Sequence, residues 1–326
     1  MCGPSIVSAS DKQRIAAYSA AYRQVSESPF GEDDQIGMLN LLSPSSMREV
    51  MSQADGAQVF DLGVDYFIGM PSWTAAGDPP YAIWMSHTPR GTVADDPLKL
   101  GREHNELVSY SGDCVQMYTH CGTHLDTLNH FGYRGKIWNH VSAERSLGSR
   151  HWMACGADKQ PPIIARAVLF DVAALHGVDM LPDSYGIGEQ DLRDCLKREA
   201  VDFRVGDVAM IRTGRMSVWP DPQRYMLNEP GLNRGGAEFL ARSGAILIGG
   251  DNLALEQLPT AEADNWQVVH TYLLAEAGIP IMEVVDLEAL AREEVYEFAF
   301  IGACLRLRGA TAAPMRPLAM PFAKKL

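Results

Sequence analysis

The chain has 326 residues, room for one large domain or two modest ones, and 46% hydrophobic with 21% charged residues is a globular balance that supports a sizeable core. Its net charge of −13, from 28 basic and 41 acidic residues, argues against nucleic acid or an anionic membrane as partner, since both attract basic surfaces. That balance says little about a small-molecule substrate, which responds to the pocket rather than to the whole surface, and nothing in the chain approaches the roughly 20 consecutive apolar residues of a membrane-spanning helix.

The opening residues, Met1 to Ser5, lack the basic-then-apolar pattern of a signal peptide. The six cysteines (Cys2, Cys114, Cys121, Cys155, Cys195 and Cys304) are scattered with no C-x-x-C pair. They read as free thiols in a cytoplasmic protein, because a chain of this length does not need disulfide staples. In chain order, residues 11–26 carry Ile15, Tyr18, Tyr22 and Val25 at helical spacing, and Ser43-Pro44 followed by 45–50 reads as a capped helix start. Residues 1–50 therefore read as a helical N-terminal extension. A strand is expected over 59–68. The stretch 71–110, with five prolines and three glycines, reads as a long loop or lid that contains Trp73, Tyr81 and Trp84.

The second half alternates strand and helix signals. Ile163–Val172 is an apolar run suited to a buried strand. Glu189–Ala200 is a helix with acids first and Lys197 and Arg198 in its last turn. Strands are expected at 208–211 and 245–248, a helix at 267–277, a strand from 278 and a long apolar strand over 296–307. The alternation predicts an α/β fold in a single domain spanning 1–326, with a β-rich first third.

The chemistry concentrates in His120-Cys121-Gly122-Thr123-His124-Leu125-Asp126-Thr127-Leu128-Asn129-His130. Nine histidines spread evenly over the chain would place only about 0.3 in an eleven-residue window, and this one holds three. Gly122-Thr123 disfavours a helix, so a turn or irregular strand can fold His120 and His124 onto one ion. Two neutral imidazoles and the Asp126 carboxylate suit zinc, manganese or iron and leave positions open for water. A lone histidine would more often be an ordinary core or surface residue; the cluster with its aspartate reverses that balance.

This run resembles the His-x-Gly-Thr-His-x-Asp-x-Pro-x-His signature of the cyclase-like metal-dependent hydrolases, relatives of bacterial kynurenine formamidases, isatin hydrolases and a trans-dienelactone hydrolase. Gly31–Leu42 is similar to the family's opening segment, and His270–Leu274 with Gly278–Glu283 is similar to its second metal segment. The resemblance implies a single domain of the swivelling β/β/α type, a mixed sheet with flanking helices. It implies His120, His124, Asp126, His270 and Glu283 as ligands of one or two divalent ions, zinc or manganese, and His130 as the catalytic acid/base. It also implies a homo-oligomer, a dimer or tetramer. Leu128 stands where the signature carries proline, which is not a ligand position.

Read from the residues alone, His270 shares a helix face with Leu273 and Leu274 and reads as a core histidine sooner than as a ligand. Glu283 ends an apolar strand, where a buried acid needs a metal, an arginine or a helix N-terminus beside it. Asp251 and Asn252, after a strand and two glycines, are either functional groups or a capped turn. Cys121 reads as structural. His87, His104, His140, His151 and His176 have no companions in sequence and are expected to do no chemistry. No Gly-x-Ser-x-Gly and no phosphate or nicotinamide fingerprint is present. The function expected is hydrolysis of an amide or ester (a lactone, lactam or N-formyl bond) in a small, cyclic or aromatic substrate by metal-activated water. The competing expectations are a non-catalytic metal- or ligand-binding protein and a metal-dependent lyase.

Overall fold

Ile163–Asp171 is the longest strand of the protein, and its near-continuous burial follows from its place inside a nine-stranded mixed sheet. The computed structural model describes residues 24–262 and 264–323. Most of the helix expected over 11–26 therefore lies outside the described residues, and Gln24 to Ser26 are not helical. In chain order the sheet strands are β1 (Phe60–Asp61), β2 (His124–Asp126), β3 (Ile163–Asp171), β4 (Val208–Arg212), β5 (Leu247–Gly250), β6 (Ile281–Glu283), β7 (Glu297–Gly302), β8 (Ala312–Pro314) and β9 (Leu318–Pro321). Their order across the sheet is β1-β9-β7-β3-β4-β5-β6-β2-β8. The middle, β3 through β6, is parallel, and both flanks are antiparallel.

Parallel strands need crossover connections, and the helices Glu189–Glu199 and Arg234–Arg242 lie on the crossovers between β3, β4 and β5. They pack on one another, with the Arg193 guanidinium 4.7 Å from the Phe239 ring centroid. Arg166, the one cation inside β3, does not break the strand. Its guanidinium bonds Asp207, Glu297 and the Asp202 carbonyl, so the buried charge is fully partnered.

The flank β6-β2-β8 positions the chemistry. Across it Glu283 pairs with His124 and Ile281 with Asp126, while Pro314 and Ala312 pair with the same two residues from the other side. Residues opposite one another in an antiparallel pair point to one face, and so do residues two apart. His124, Asp126 and Glu283 thus share a face, and Leu125 between them is buried on the other.

The family-like opening segment serves structure. The Asp34 carboxylate accepts from Ser28, the backbone N–H groups of Ile36 and Gly37, Asn40 and the buried Trp138 indole. Gly37 and Gly278, both at positive φ, meet so closely that a Cβ on Gly37 would lie 2.0 Å from the Gly278 carbonyl oxygen. That contact seats the segment against the turn leading into β6.

Several expected elements are corrected. The strand over 59–68 is only β1, and the long strand over 296–307 stops at Gly302, after which the chain is irregular apart from isolated pairings. Among its described residues the first third is not β-rich: apart from β1 and Ala82–His87 they form short helices and loops. The helix start at Ser43 is correct, with the Ser43 and Ser46 side chains forming a reciprocal cap. The expected lid over 71–110 is partly regular. Ala82–His87 pairs antiparallel with Gly112–Gln116, and the helices Pro89–Asp95 and Arg102–Leu107 sit between them. This excursion exposes Trp84, Met85, Leu107 and Val108. The helix over 267–277 is a turn of α-helix at Val268–His270 running into a π-helix, Thr271–Ala277.

Among the described residues no helix is long and apolar enough to cross a membrane, and the five described cysteines are unpaired.

Candidate metal centre and cleft

Gly122 makes the His120–His124 geometry possible. Its φ of +58° turns the chain, and a Cβ there would lie 2.6 Å from the Tyr66 ring. Thr123 then clamps the turn: its hydroxyl donates to the Val284 carbonyl and accepts from Val64 N–H, and its carbonyl accepts from the Tyr66 hydroxyl. Beyond β2 a second turn, closed by His130 N–H to the Thr127 carbonyl, brings His130 back over Asp126.

The result is a group centred on Asp126. His120 Nδ1 lies 2.7 Å and His124 Nε2 3.2 Å from Asp126 Oδ1, and His270 Nε2 and His130 Nε2 lie 3.7 and 3.8 Å from Oδ2. Glu283 faces the same point, with Oε2 3.2 Å from His124 Nε2 and Oε1 3.1 Å from His270 Nε2. All six residues named from the sequence come together. Two triads with mutually close donor atoms, His120–Asp126–His130 and His124–Asp126–Glu283, share the aspartate.

The outer nitrogen of each inner histidine is held by oxygen. His124 Nδ1 donates to the Gly122 carbonyl at 2.8 Å, His270 Nδ1 faces the Glu256 carboxylate at 2.7 Å, and His120 Nε2 pairs with the Thr311 hydroxyl at 2.9 Å. Such partners fix the tautomer and aim the other nitrogen's lone pair inward. Three inward lone pairs and two carboxylates then meet in a buried space, leaving negative charge with no Lys or Arg beside it.

The protonation tendencies report the same imbalance. Burial opposes charge on His124, yet the Asp126 and Glu283 carboxylates outweigh it and lift that imidazole to about 10. His270 is raised by Glu256 and Glu283 against the same burial. Asp126 is held well below the usual carboxylate range, because the surrounding imidazoles His120, His130 and His124 outweigh its burial. His130 goes the other way: burial, then the neighbouring His120, keep it neutral.

A divalent ion fits this donor set. His124 Nε2 and both Asp126 oxygens are buried with no well-aligned hydrogen bond despite their close neighbours, as expected for atoms aimed at a common point rather than at one another. Bonds of about 2.1 Å to one cation place neighbouring donors roughly 3.0–3.4 Å apart, close to the separations around Asp126 Oδ1 and Glu283.

Beside the group opens a cleft of ≈ 190 Å³ walled by Trp73, Phe131, Leu253, Leu258 and Trp266, with Asp78, Tyr118 and Gln267 as its polar members outside the central group. Phe131 and Trp266 meet edge to face at 5.6 Å. Of the three aromatic residues noted in the 71–110 stretch, Trp73 lines the cleft and the other two do not. Tyr81 packs under it with Met70 and Cys121, and Trp84 stands half exposed on the excursion. Asp251 is a buried turn-holder, accepting from Thr213 N–H and hydroxyl and from Gly214 N–H, and Asn252 donates to the Pro230 carbonyl. Cys121 is buried and structural. His176, expected to have no companions, pairs on the surface with Asp191 and Tyr185, away from the cleft.

Sequence reasoning missed Glu256, Thr311, Asp78, Tyr118 and Gln267. Tyr118 and Gln267 stood near named ligands in the chain, two positions before His120 and three before His270. The others reach the site through loop paths that carry no periodic signal.

Comparison with known proteins shows the family and the fold. A model of the putative cyclase family matches residues 60–257, a span that includes the cluster from His120 to His130. The fold is similar to a crystal structure described as a novel cyclase (TM-score 0.78, 24% identity, 89% of this chain and 95% of that one). It is also similar to isatin hydrolase A from Labrenzia aggregata (0.62, 14%, 85% and 100%) and to a predicted metal-dependent hydrolase from Bacillus stearothermophilus (0.53, 18%, 81% and 98%). No curated protein matches the sequence. With the match covering well over half of the chain, this protein belongs to the putative cyclase family.

Proposed function

We propose that this protein is a metal-dependent hydrolase that cleaves an amide or ester bond in a small, flat, cyclic or aromatic substrate. The observation that carries the reading is the convergence of four imidazoles and the Glu283 carboxylate around Asp126 at the floor of an aromatic-walled cleft. The similarity to isatin hydrolases and to a metal-dependent hydrolase supports it.

His120, His124, Asp126, His270 and Glu283 would hold one or two divalent ions, zinc or manganese. When bound, such an ion polarises a carbonyl oxygen and lowers the pKa of water in its shell to near 7. The remaining work falls to the chain's own residues. Glu256 and Thr311 orient the imidazoles. Trp73, Phe131 and Trp266 hold a planar group and exclude water from it. His130, neutral and partly open to the cleft, takes a proton at Nε2 from the attacking water and returns it to the departing nitrogen or oxygen.

A second reading of His130 rests on the triad it forms with His120 and Asp126, which would make it a ligand of a second ion. Replacing His130 by alanine separates the two: an acid/base leaves metal content intact, a ligand does not. For the function itself, the test is a panel of lactones, formanilides and isatins assayed with added zinc or manganese. Turnover that a chelator abolishes and metal restores is expected; no turnover of any member, or turnover indifferent to metal, would overturn the reading.

A further inference from the structure

The polar lining of the cleft outside the central group is one-sided. Asp78 and Gln267 line it, Lys and Arg are absent from its described walls, and the protein as a whole is acidic. Asp78 is half-buried in that lining, beside no Lys or Arg among the cleft residues. Gln267 is a separate observation. Only 8% of it is exposed, it opens the turn that carries His270, and its Oε1 is buried with no hydrogen-bond partner. The backbone around it is fully used: its N–H donates to Asn265 and its carbonyl accepts from the Thr271 N–H and hydroxyl. Gln267 thus lines the cleft with an amide oxygen that is enclosed there and has no hydrogen-bond partner within the protein.

We infer that Asp78 and Gln267 are specificity-determining residues that select a substrate carrying a hydrogen-bond donor or a positive charge away from the scissile carbonyl, and reject one carrying a carboxylate there. This rests on the hydrolase reading above and narrows it. A desolvated carboxylate in the substrate would meet Asp78 with no cation to offset it, whereas an ammonium would be attracted by Asp78 and a donor would give the Gln267 amide oxygen the partner it lacks. A site that holds a donor rejects the analogue without one through its own unpaired acceptors.

The test uses benzohydroxamates that share one metal-seeking group and differ in a ring substituent: aminomethyl, hydroxymethyl or carboxylate. Binding to the metal-loaded full-length protein is followed by the fluorescence of the cleft tryptophans and by inhibition where a substrate is in hand. Wild type is expected to bind the aminomethyl compound at least about 10-fold more tightly than the carboxylate, the scale of a charge-assisted hydrogen bond. Asp78→Asn should bring that ratio close to one without weakening the hydroxymethyl compound. Gln267→Leu should weaken the hydroxymethyl compound several-fold, and Gln267→Glu should restore it. If all three bind wild type equally, or if Asp78→Asn leaves the ratio unchanged, the selection inference is wrong while the metal reading stands. If none binds in a metal-dependent way, the hydrolase reading fails and takes this inference with it.

Discussion

The floor and the rim of the cleft are built by opposite means. The floor residues His124, Asp126 and Glu283 sit on three-residue strands held by ladder bonds on both sides, and their side chains are almost wholly buried. The rim residues Trp73 and Trp266 stand on loops and are 38% and 68% exposed. A cross-strand register fixes donor atoms with no side-chain freedom to lose, which is what a multidentate charge site needs. A loop-borne aromatic wall can change its residues without disturbing the ladder beneath it. The same metal chemistry can thus be kept on the floor while the rim sets what is admitted.

That contrast is broken or sharpened by substitutions that touch one region at a time. The largest effect is expected from Asp126→Asn. It removes the group shared by both triads, so metal content and activity should fall together, by more than the 10–100-fold that loss of an outer partner costs. Elemental analysis beside the kinetics checks this, and normal metal binding would mean that the floor does not turn on Asp126. His130→Ala is expected to lower kcat by roughly 10²–10⁴ with metal retained, and more for an amide than for an activated ester, because amine departure requires protonation. Glu256→Gln should cost about 10–100-fold in metal affinity or activity, since the carboxylate that fixes the His270 tautomer becomes an amide. An unchanged metal affinity and rate would reduce Glu256 to a helix cap. Smallest is Trp266→Ala, expected to raise KM several-fold for aromatic substrates with kcat and metal content near normal. A collapse in kcat instead would place the rim inside the chemistry.

The sequence shows the floor far better than the rim. Three histidines and an aspartate in eleven residues, split by a glycine that forces a turn, announce a site, and the family resemblance adds His270 and Glu283. The parallel strands were legible because burial on both faces makes them apolar runs, as Val208–Ile211 shows. The excursion was not, because Ala82–His87 and Gly112–Gln116 form a mostly exposed pair, and the prolines and glycines around them in 71–110 read as loop. The strand expected over 296–307 overran for the reverse reason: apolar character continues past Gly302, but pairing with β3 ends at Ile163. Glu256 and Thr311 reach the histidines from 14 and 191 residues away in sequence, a distance no local pattern spans.

The most direct test of the central claim is the metal content of the purified protein, measured before and after chelation and after re-addition of zinc or manganese, with hydrolysis of the lactone, formanilide and isatin panel followed alongside. One or two equivalents of a divalent metal, lost and regained in step with activity, and missing from Asp126→Asn but present in Trp266→Ala, is the predicted result. Fully active protein free of transition metal would contradict it.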